Sequence, residues 1–171
     1  RVCGEPSPAF DGESIRYRLN WDSRCIVRIW RGRVLAAVLE GAPGPLRVVD
    51  IGAGAGADSA ALRAAGCDVV SVEPSPGMRA EARFRGVDAL AGSLESAPGL
   101  VGSGYDVALL NFGVLNCVPT LAGLEGLLGR LLKVGGRAVL VWMSRRCPVD
   151  TLSRLRRGQR PRRGRPVAIV A

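Results

Sequence analysis

The segment from Val48 to Met78, VVDIGAGAGADSAALRAAGCDVVSVEPSPGM, constrains the fold more than any other part of the chain. An apolar run ends in an acid, and glycines then stand at every second position. An alanine-rich segment leads to a second apolar run and a second acid. Glycine allows the sharp turn and the close backbone approach that a ligand-binding loop between a strand and a helix needs. The segment therefore predicts a strand, a binding loop, a helix and a second strand.

The rest of the chain continues this alternation of strands and helices. Predicted strands occupy residues 46–51, 67–73, 87–92, 105–111 and 135–143, and predicted helices occupy residues 23–41, 57–66, 75–86 and 120–133. Such alternation is typical of an α/β fold, a doubly wound and mainly parallel sheet with helices on both faces.

Three regions follow from this pattern. Residues 1–45 are predicted to be a helical segment that packs on the core or covers its site as a lid, and residues 46–143 are predicted to be the core. Residues 144–171 contain an arginine-rich loop and PVAIVA, the predicted start of a sixth strand. Because the chain begins on Arg1 and ends in an apolar run, we expect it to be a piece of a longer protein whose last strands are incomplete.

The charge of the chain is concentrated in one late segment. Residues 154–165 hold seven arginines and no acid, and without their charges the net charge falls from +9 to +2. Arginine binds phosphate well, so RNA is one candidate partner. The segment lacks the interleaved aromatic residues on which bases stack. A solvated loop is therefore the favoured interpretation.

Several classes of site are excluded by composition. The chain has no histidine, which excludes histidine catalysis and histidine–metal sites within it. Its five cysteines are odd in number and form no C-x-x-C pair, which favours a reducing, cytoplasmic environment over a disulfide framework or a zinc site. No apolar run approaches the roughly 20 residues that a membrane helix needs.

The two acids distinguish between the ligands that a glycine loop can hold. The run GAGAGA also fits the dinucleotide pattern G-x-G-x-x-G/A, so a nicotinamide or flavin oxidoreductase is an alternative. In those enzymes the loop faces a pyrophosphate, which Asp50 would repel. Asp50 instead suits a cationic ammonium or sulfonium, and Glu73 suits ribose hydroxyls. This combination indicates S-adenosylmethionine. The alternatives are that Asp50 only caps a helix or satisfies loop amides, and that Glu73 is a solvated strand end.

Five motifs in order carry a resemblance to class I S-adenosylmethionine-dependent methyltransferases. They are VVDIGAGAG, VVSVEPSPGM, AGSLESAP, YDVALLNFGVLNCV and LLKVGGRAVLVW. Together they span roughly residues 46–143. The resemblance implies a Rossmann-like sheet, S-adenosylmethionine as cofactor and no metal. It identifies no substrate.

The resemblance also implies a role for individual residues. The methionine end of the cofactor would lie at Asp50, Gly52, Ala53, Gly54 and Gly56, and the ribose would lie at Glu73. The adenine would lie beside Pro74, Ser75, Met78 and Leu94. The transferable methyl would lie beside Asn111, Phe112 and Gly113, and Tyr17 stands where a lid residue often lies. Ser93 stands where the family often has an aspartate for the adenine amino group, and the neighbouring Glu95 is a second candidate for that contact.

The function predicted from the sequence is methyl transfer from S-adenosylmethionine to a small molecule. No general base is evident. Because a thiol, amine or activated carbon acceptor needs no dedicated base, the lack of histidine does not exclude activity. Three alternatives stay open: a non-catalytic or truncated cofactor-binding domain, an RNA methyltransferase, and an NAD- or FAD-dependent oxidoreductase.

Overall fold

The structure is a computed structural model that describes residues 25–117, 123–145 and 165–170. Its helices are α1 Cys25–Leu39, α2 Ala57–Ala64, α3 Pro76–Arg83, α4 Ala97–Val101, α5 Val114–Cys117 and α6 Leu124–Leu131. Its strands are β1 Arg47–Ile51, β2 Asp68–Val72, β3 Tyr105–Leu110, β4 Leu132–Arg145 and β5 Arg165–Val170.

The described strands form one sheet in the order β2-β1-β3-β4-β5. The first four strands are parallel, with Val49 opposite Val70 on β2 and opposite Ala108 on β3, and β5 runs antiparallel to β4. The chain leaves β1 for β2 on one side and reaches β3 on the other. The carboxyl ends of β1 and β3 therefore meet at a topological switch point, where ligands bind in open α/β sheets.

The core consists of two apolar layers, one on each face of the sheet. Successive residues of a strand point to opposite faces, so Val48 belongs to one layer and Val49 to the other. Val34 and Val38 of α1 are fully buried against the first layer. The second layer contains residues of α4, α5 and α6, including Leu131. Helices thus cover both faces, which confirms the predicted α/β class.

The predicted third strand at residues 87–92 is wrong. Only Leu90 bridges to Val72, through its N–H to the carbonyl of Ser71 and its carbonyl to the N–H of Glu73, both at 2.9 Å. Aspartate, alanine and glycine, which make up most of this segment, have low strand propensity and offer little side chain to pack at a sheet edge. The chain therefore makes one bridge and turns away.

The predicted helix at residues 120–133 ends earlier than expected. Its last helical residue is Leu131, and Leu132 is already extended and lies opposite Tyr105. Strand β4 therefore begins three residues before the predicted position 135, because pairing with β3 overrides the helical spacing of the leucines. The predicted start of this helix, residues 120–122, lies outside the described residues.

Other boundaries agree more closely. The helices predicted at 57–66 and 75–86 are present but shorter, and β5 matches the predicted sixth strand. The short helices α4 and α5 are additional to the prediction. In the part of the chain that the structure describes, no helix has the length and hydropathy to cross a membrane.

Burial of α1 on the sheet makes a stability prediction. Val38→Ala should lower the free energy of unfolding by about 1–3 kcal/mol, since it deletes two buried methyl groups and leaves a cavity. Val134 is fully exposed on β4, so Val134→Ala is the matched control and should cost less than about 1 kcal/mol. Urea unfolding of both variants measures the difference. Equal losses would show that α1 does not pack as described.

Candidate functional site

The glycine loop, residues 52–56, joins β1 to α2 in a tight turn. Gly52, Gly54 and Gly56 all have positive φ, at 72°, 54° and 73°. A β-carbon on Gly52 would overlap the side chain of Val114, and one on Gly56 would lie 3.0 Å from the β-carbon of Ala82. Two of the three glycines are therefore required by neighbouring protein atoms as well as by backbone conformation.

Gly54 differs from the other two loop glycines. No heavy atom lies within 4 Å of the position that its β-carbon would take. Its N–H donates to Glu73 Oε2 at 2.8 Å, while the N–H groups of Gly52 and Ala53 donate to the carbonyl of Val72 at 2.7 and 3.1 Å. The middle of the loop thus faces open space next to an acid, which is the geometry of a cradle for a ligand.

Asp50 lies at the carboxyl end of β1, beneath this loop. Asp50 is 1% exposed, and its carboxyl accepts a hydrogen bond from Ser59 Oγ at 2.5 Å. Ser59 Oγ in turn accepts one from Ser71 Oγ at 2.8 Å. Gly56 precedes the first residue of α2 and no side chain caps that helix end. The alternative that Asp50 is only a helix cap is therefore wrong.

Burial raises the pKa of Asp50 from 3.8 to about 7. The negative charge of Asp58 adds to the rise in this pKa, and Glu73 adds less; the hydrogen bond from Ser59 and the positive charge of Arg31 oppose it. Near neutral pH the carboxyl of Asp50 is therefore partly protonated. A cation placed beside it would stabilise the ionised form and displace that proton.

Glu73 follows β2 and is held by two backbone donors. Its Oε2 accepts from the Gly54 N–H and its Oε1 from the Ser75 N–H, both at 2.8 Å. Arg79 Nη1 donates to the carbonyls of Glu73 and Pro74 at 2.9 and 2.8 Å. The side chain is buried, so the alternative of a solvated strand end is wrong. The carboxylate joins the glycine loop to the segment after β2.

A cleft of about 390 Å³ opens beside Pro74, the residue that follows this acid. Its lining residues are Pro74, Pro76, Arg79, Ala91, Gly92, Ser93 and Ser96. Ser93 Oγ donates to Glu95 Oε2 at 2.6 Å, so the two candidates for the adenine contact are linked to each other.

Three other candidates for the adenine contact do not line this cleft. Ser75 caps α3 by accepting from the Met78 N–H at 3.2 Å, and both side chains are buried. Leu94 is buried in the second core layer. Pro74 and Ser93 are therefore the members of the predicted adenine set that the structure brings to the cleft.

The third part of the site follows β3. Asn111 is buried; its Nδ2 donates to Asp58 Oδ2 at 2.8 Å and its Oδ1 accepts from the Phe112 N–H at 2.8 Å. Phe112 has φ 44° and Gly113 has φ 108°. These residues form a tight turn on the far side of β1 from Glu73. Tyr17, the candidate lid residue, lies outside the described residues.

The sequence analysis did not single out four polar residues that the structure brings into this region. They are Arg31, Asp58, Ser59 and Ser71, which contact Asp50, Asn111 or each other. One signal was available: Asp58 and Ser59 lie in the first turn after the glycine loop, in a helix that is otherwise mostly apolar. Arg31 gave no signal, since it is 27 residues from its partner.

Comparison with known proteins assigns the family. The family model described as "Methyltransferase domain" matches residues 25–167, which is most of the chain. This match, the fold and the order of the motifs agree. The chain belongs to the class I S-adenosylmethionine-dependent methyltransferase superfamily.

One curated relative and two solved structures illustrate the similarity to known methyltransferases. A demethylmenaquinone methyltransferase of Beutenbergia cavernae is 40% identical over 139 residues, which are 79% of this chain and 56% of that protein. A SAM-dependent methyltransferase of Thermotoga maritima superposes with a TM-score of 0.58 at 29% identity, covering 80% of this chain and 61% of that one. The sugar N-methyltransferase KedS8 of a Streptoalloteichus species superposes with a TM-score of 0.56 at 26% identity, covering 84% of this chain and 56% of that one. The chain spans about half the length of the curated relatives it matches.

The raised pKa of Asp50 predicts how stability depends on pH. Between pH 4 and 7 the native state holds a proton that the unfolded chain has released, so this group's stabilising contribution falls as pH rises. The free energy of unfolding of the wild type, relative to that of Asp50→Asn, should decrease by up to about 1.4 kcal/mol per pH unit across this window. Urea unfolding at a series of pH values measures it.

Asp106 provides a control of opposite sign. Hydrogen bonds from Lys133 and from the Arg47 N–H lower the pKa of Asp106, so its stabilising contribution is lost as pH falls. Relative to Asp106→Asn, the wild type should become less stable toward acid. A flat difference for Asp50→Asn, or one with the same sign as that of Asp106→Asn, would contradict the described environment of Asp50.

Proposed function

We propose that this chain binds S-adenosylmethionine at the edge formed by Asp50, the glycine loop and Glu73, and that it transfers the methyl group to a small molecule. The observation that carries this proposal is the contact between Glu73 and the Gly54 N–H, with buried Asp50 beneath the same loop. Two buried acids then adjoin the backbone of one loop, which is a poor site for a pyrophosphate and a good one for a cation attached to a ribose.

The residues present fit that cofactor part by part. The positive methionine end would lie against Asp50, whose raised pKa leaves it ready to exchange its proton for a cation. No protein atom fills the space beside Gly54, and a β-carbon at this position would take up part of the space left for the ligand. Glu73 would accept from the ribose hydroxyls, and the adenine would lie in the cleft beside Pro74 and Ser93.

When bound, the cofactor supplies an activated methyl carbon for in-line displacement by a nucleophilic atom. The protein's own contribution is to hold donor and acceptor in line and to exclude water. Asn111, Phe112 and Gly113 would form the wall on the acceptor side. Asn111 is committed to Asp58 and to the Phe112 N–H, so its role would be to shape this wall rather than to accept a proton.

The acceptor that we propose is a demethylated menaquinone. The support is the name that eight curated relatives share, one of them 40% identical to this chain. The ring of Phe112 adds a flat apolar surface of the kind on which an aromatic acceptor can pack. We also propose a cytoplasmic location, on the cysteine pattern alone.

The alternatives receive less support. Membership of the methyltransferase family speaks against the oxidoreductase. The arginine-rich segment lies outside the described residues except for Arg165, so an RNA acceptor stays a prediction from the sequence. A non-catalytic binding domain would share the whole proposed cofactor site and differs only in its reaction.

Isothermal titration with S-adenosylmethionine, and with NADH and FAD as controls, tests the proposal. We expect binding of S-adenosylmethionine alone, followed by methylation of a short-chain demethylmenaquinone in its electron-rich quinol form, detected by mass spectrometry. Binding of NADH or FAD in place of S-adenosylmethionine would overturn the cofactor assignment. Cofactor binding without transfer would favour the non-catalytic domain.

Two variants test the assignment of the acids. Asp50→Ala and Glu73→Ala should each weaken S-adenosylmethionine binding by about 1–3 kcal/mol, the scale of charged hydrogen bonds. Asp68 is an exposed acid at the amino end of β2, whereas the loop lies at the carboxyl end of the strands, so Asp68→Ala is the control and should leave affinity unchanged. Unchanged affinity in both site variants, measured by calorimetry, would remove the proposed site.

A further inference from the structure

Asp58 connects three parts of the fold. It lies in the first turn of α2 with its side chain 10% exposed, and both of its oxygens accept from other elements. Arg31 of α1 donates through Nε to Oδ1 at 2.6 Å, and Asn111 after β3 donates through Nδ2 to Oδ2 at 2.8 Å. A buried carboxylate that is shared in this way fixes the positions of both donors, because losing either contact leaves charge or polarity unmatched.

Phe112 contacts both donors of this carboxylate, Asn111 and Arg31, so the four residues form a closed ring of contacts. The Phe112 N–H donates to Asn111 Oδ1 at 2.8 Å, and the Arg31 guanidinium carbon lies 5.8 Å from the centre of the Phe112 ring. We call Arg31, Asp58, Asn111 and Phe112 the Asp58 circuit. Its four members come from α1, from α2 and from the turn after β3.

The turn in this circuit is strained. Phe112 is the one non-glycine residue with positive φ in the part of the chain that the structure describes, and a bulky side chain adopts that conformation only where its surroundings impose it. The Asn111 side chain caps the Phe112 N–H, and Asp58 in turn fixes the Asn111 amide. The conformation of the turn therefore depends on a residue of a different helix.

The order of the strands in the sheet places the Asp58 circuit on the β3 side of the site. Glu73 follows β2 and Asn111 follows β3, and these strands flank β1 on opposite sides. The circuit thus lies away from Glu73 and next to the surface where, in the proposed function, the methyl acceptor would bind.

We propose that Asp58 is a positioning residue that locks α1 onto the turn at residues 111–113 and so builds the acceptor side of the site as one unit. The use of this wall for an acceptor rests on the proposed function; the coupling between α1 and the turn does not. Asp58 acts through Arg31 and Asn111, and it is not proposed to touch the cofactor.

Hydrogen exchange read by mass spectrometry tests the coupling on the full chain. In Asp58→Asn the side chain keeps its shape, but either orientation of the amide sets a donor against Arg31 or against Asn111. Amides of α1 and of residues 111–117 should then exchange faster together, by about 10-fold. Affinity for S-adenosylmethionine should fall by less than in Asp50→Ala, because Asp58 is not proposed to touch the cofactor.

An exchanged pair provides the rescue. In the double variant Asp58→Asn, Asn111→Asp, the new amide can donate to the new carboxylate, which can still accept from the Phe112 N–H, and the total charge is unchanged. Both segments should return to within about 3-fold of wild-type exchange. The matched control is Asp88→Asn, which alters an exposed Arg–Asp pair at 3.4 Å and should change neither segment.

Several results would overturn the inference. They are a response of only one segment, no response of either, no recovery in the double variant, or a loss of cofactor affinity as large as that of Asp50→Ala. If the single variants do not fold, the double variant carries the test, since native exchange in it supports the circuit and failure to fold refutes it. A wild type that exchanges as expected but binds no S-adenosylmethionine would refute the proposed function and leave the coupling standing.

Discussion

The burial of Asp50 at the carboxyl end of β1 is the constraint on which the site depends. A carboxyl in this position is costly to ionise, and the surrounding structure answers that cost with Ser59, Ser71 and the positive charge of Arg31. The glycine loop above it places backbone rather than side chain over the acid. In the proposed function, a positive ligand would complete the charge balance.

The sheet order organises the rest of the site around β1. Glu73 on the β2 side is fixed by the N–H groups of Gly54 and Ser75, and Asn111 on the β3 side is fixed by Asp58. The two sides therefore meet at the loop but are held by different contacts. A donor and an acceptor of a methyl group need this arrangement, since each must be bound independently and then aligned.

Much of the fold could be predicted from the sequence, because its central strands are continuous apolar runs followed by strong turn residues. The segment around Leu90 could not, since its alanines, glycine and aspartate carry no clear preference and its pairing depends on the neighbouring edge. The early start of β4 at Leu132 was hidden because leucine favours a helix and Leu131 and Leu132 continue the helical spacing, whereas the pairing with Tyr105 depends on a distant strand.

The site likewise contains residues that could be predicted from the sequence and residues that could not. Asp50, the glycines and Glu73 lie in one short segment, where spacing along the chain reflects proximity in space. Asp58 was missed because an acid in the first turn of a helix has an ordinary explanation in the helix dipole. Its partners Arg31 and Asn111 are 27 and 53 residues away, and no local pattern reveals such pairs.

Calorimetric titration of S-adenosylmethionine at about pH 6.5, in two buffers of different ionisation enthalpy, tests the central claim most directly. If the positive end of the ligand displaces the proton of Asp50, binding should release up to about three-quarters of a proton, and the measured heat should differ between the buffers accordingly. Asp50→Asn should abolish that difference. Identical heats in both buffers, or no binding of S-adenosylmethionine at all, would contradict the account.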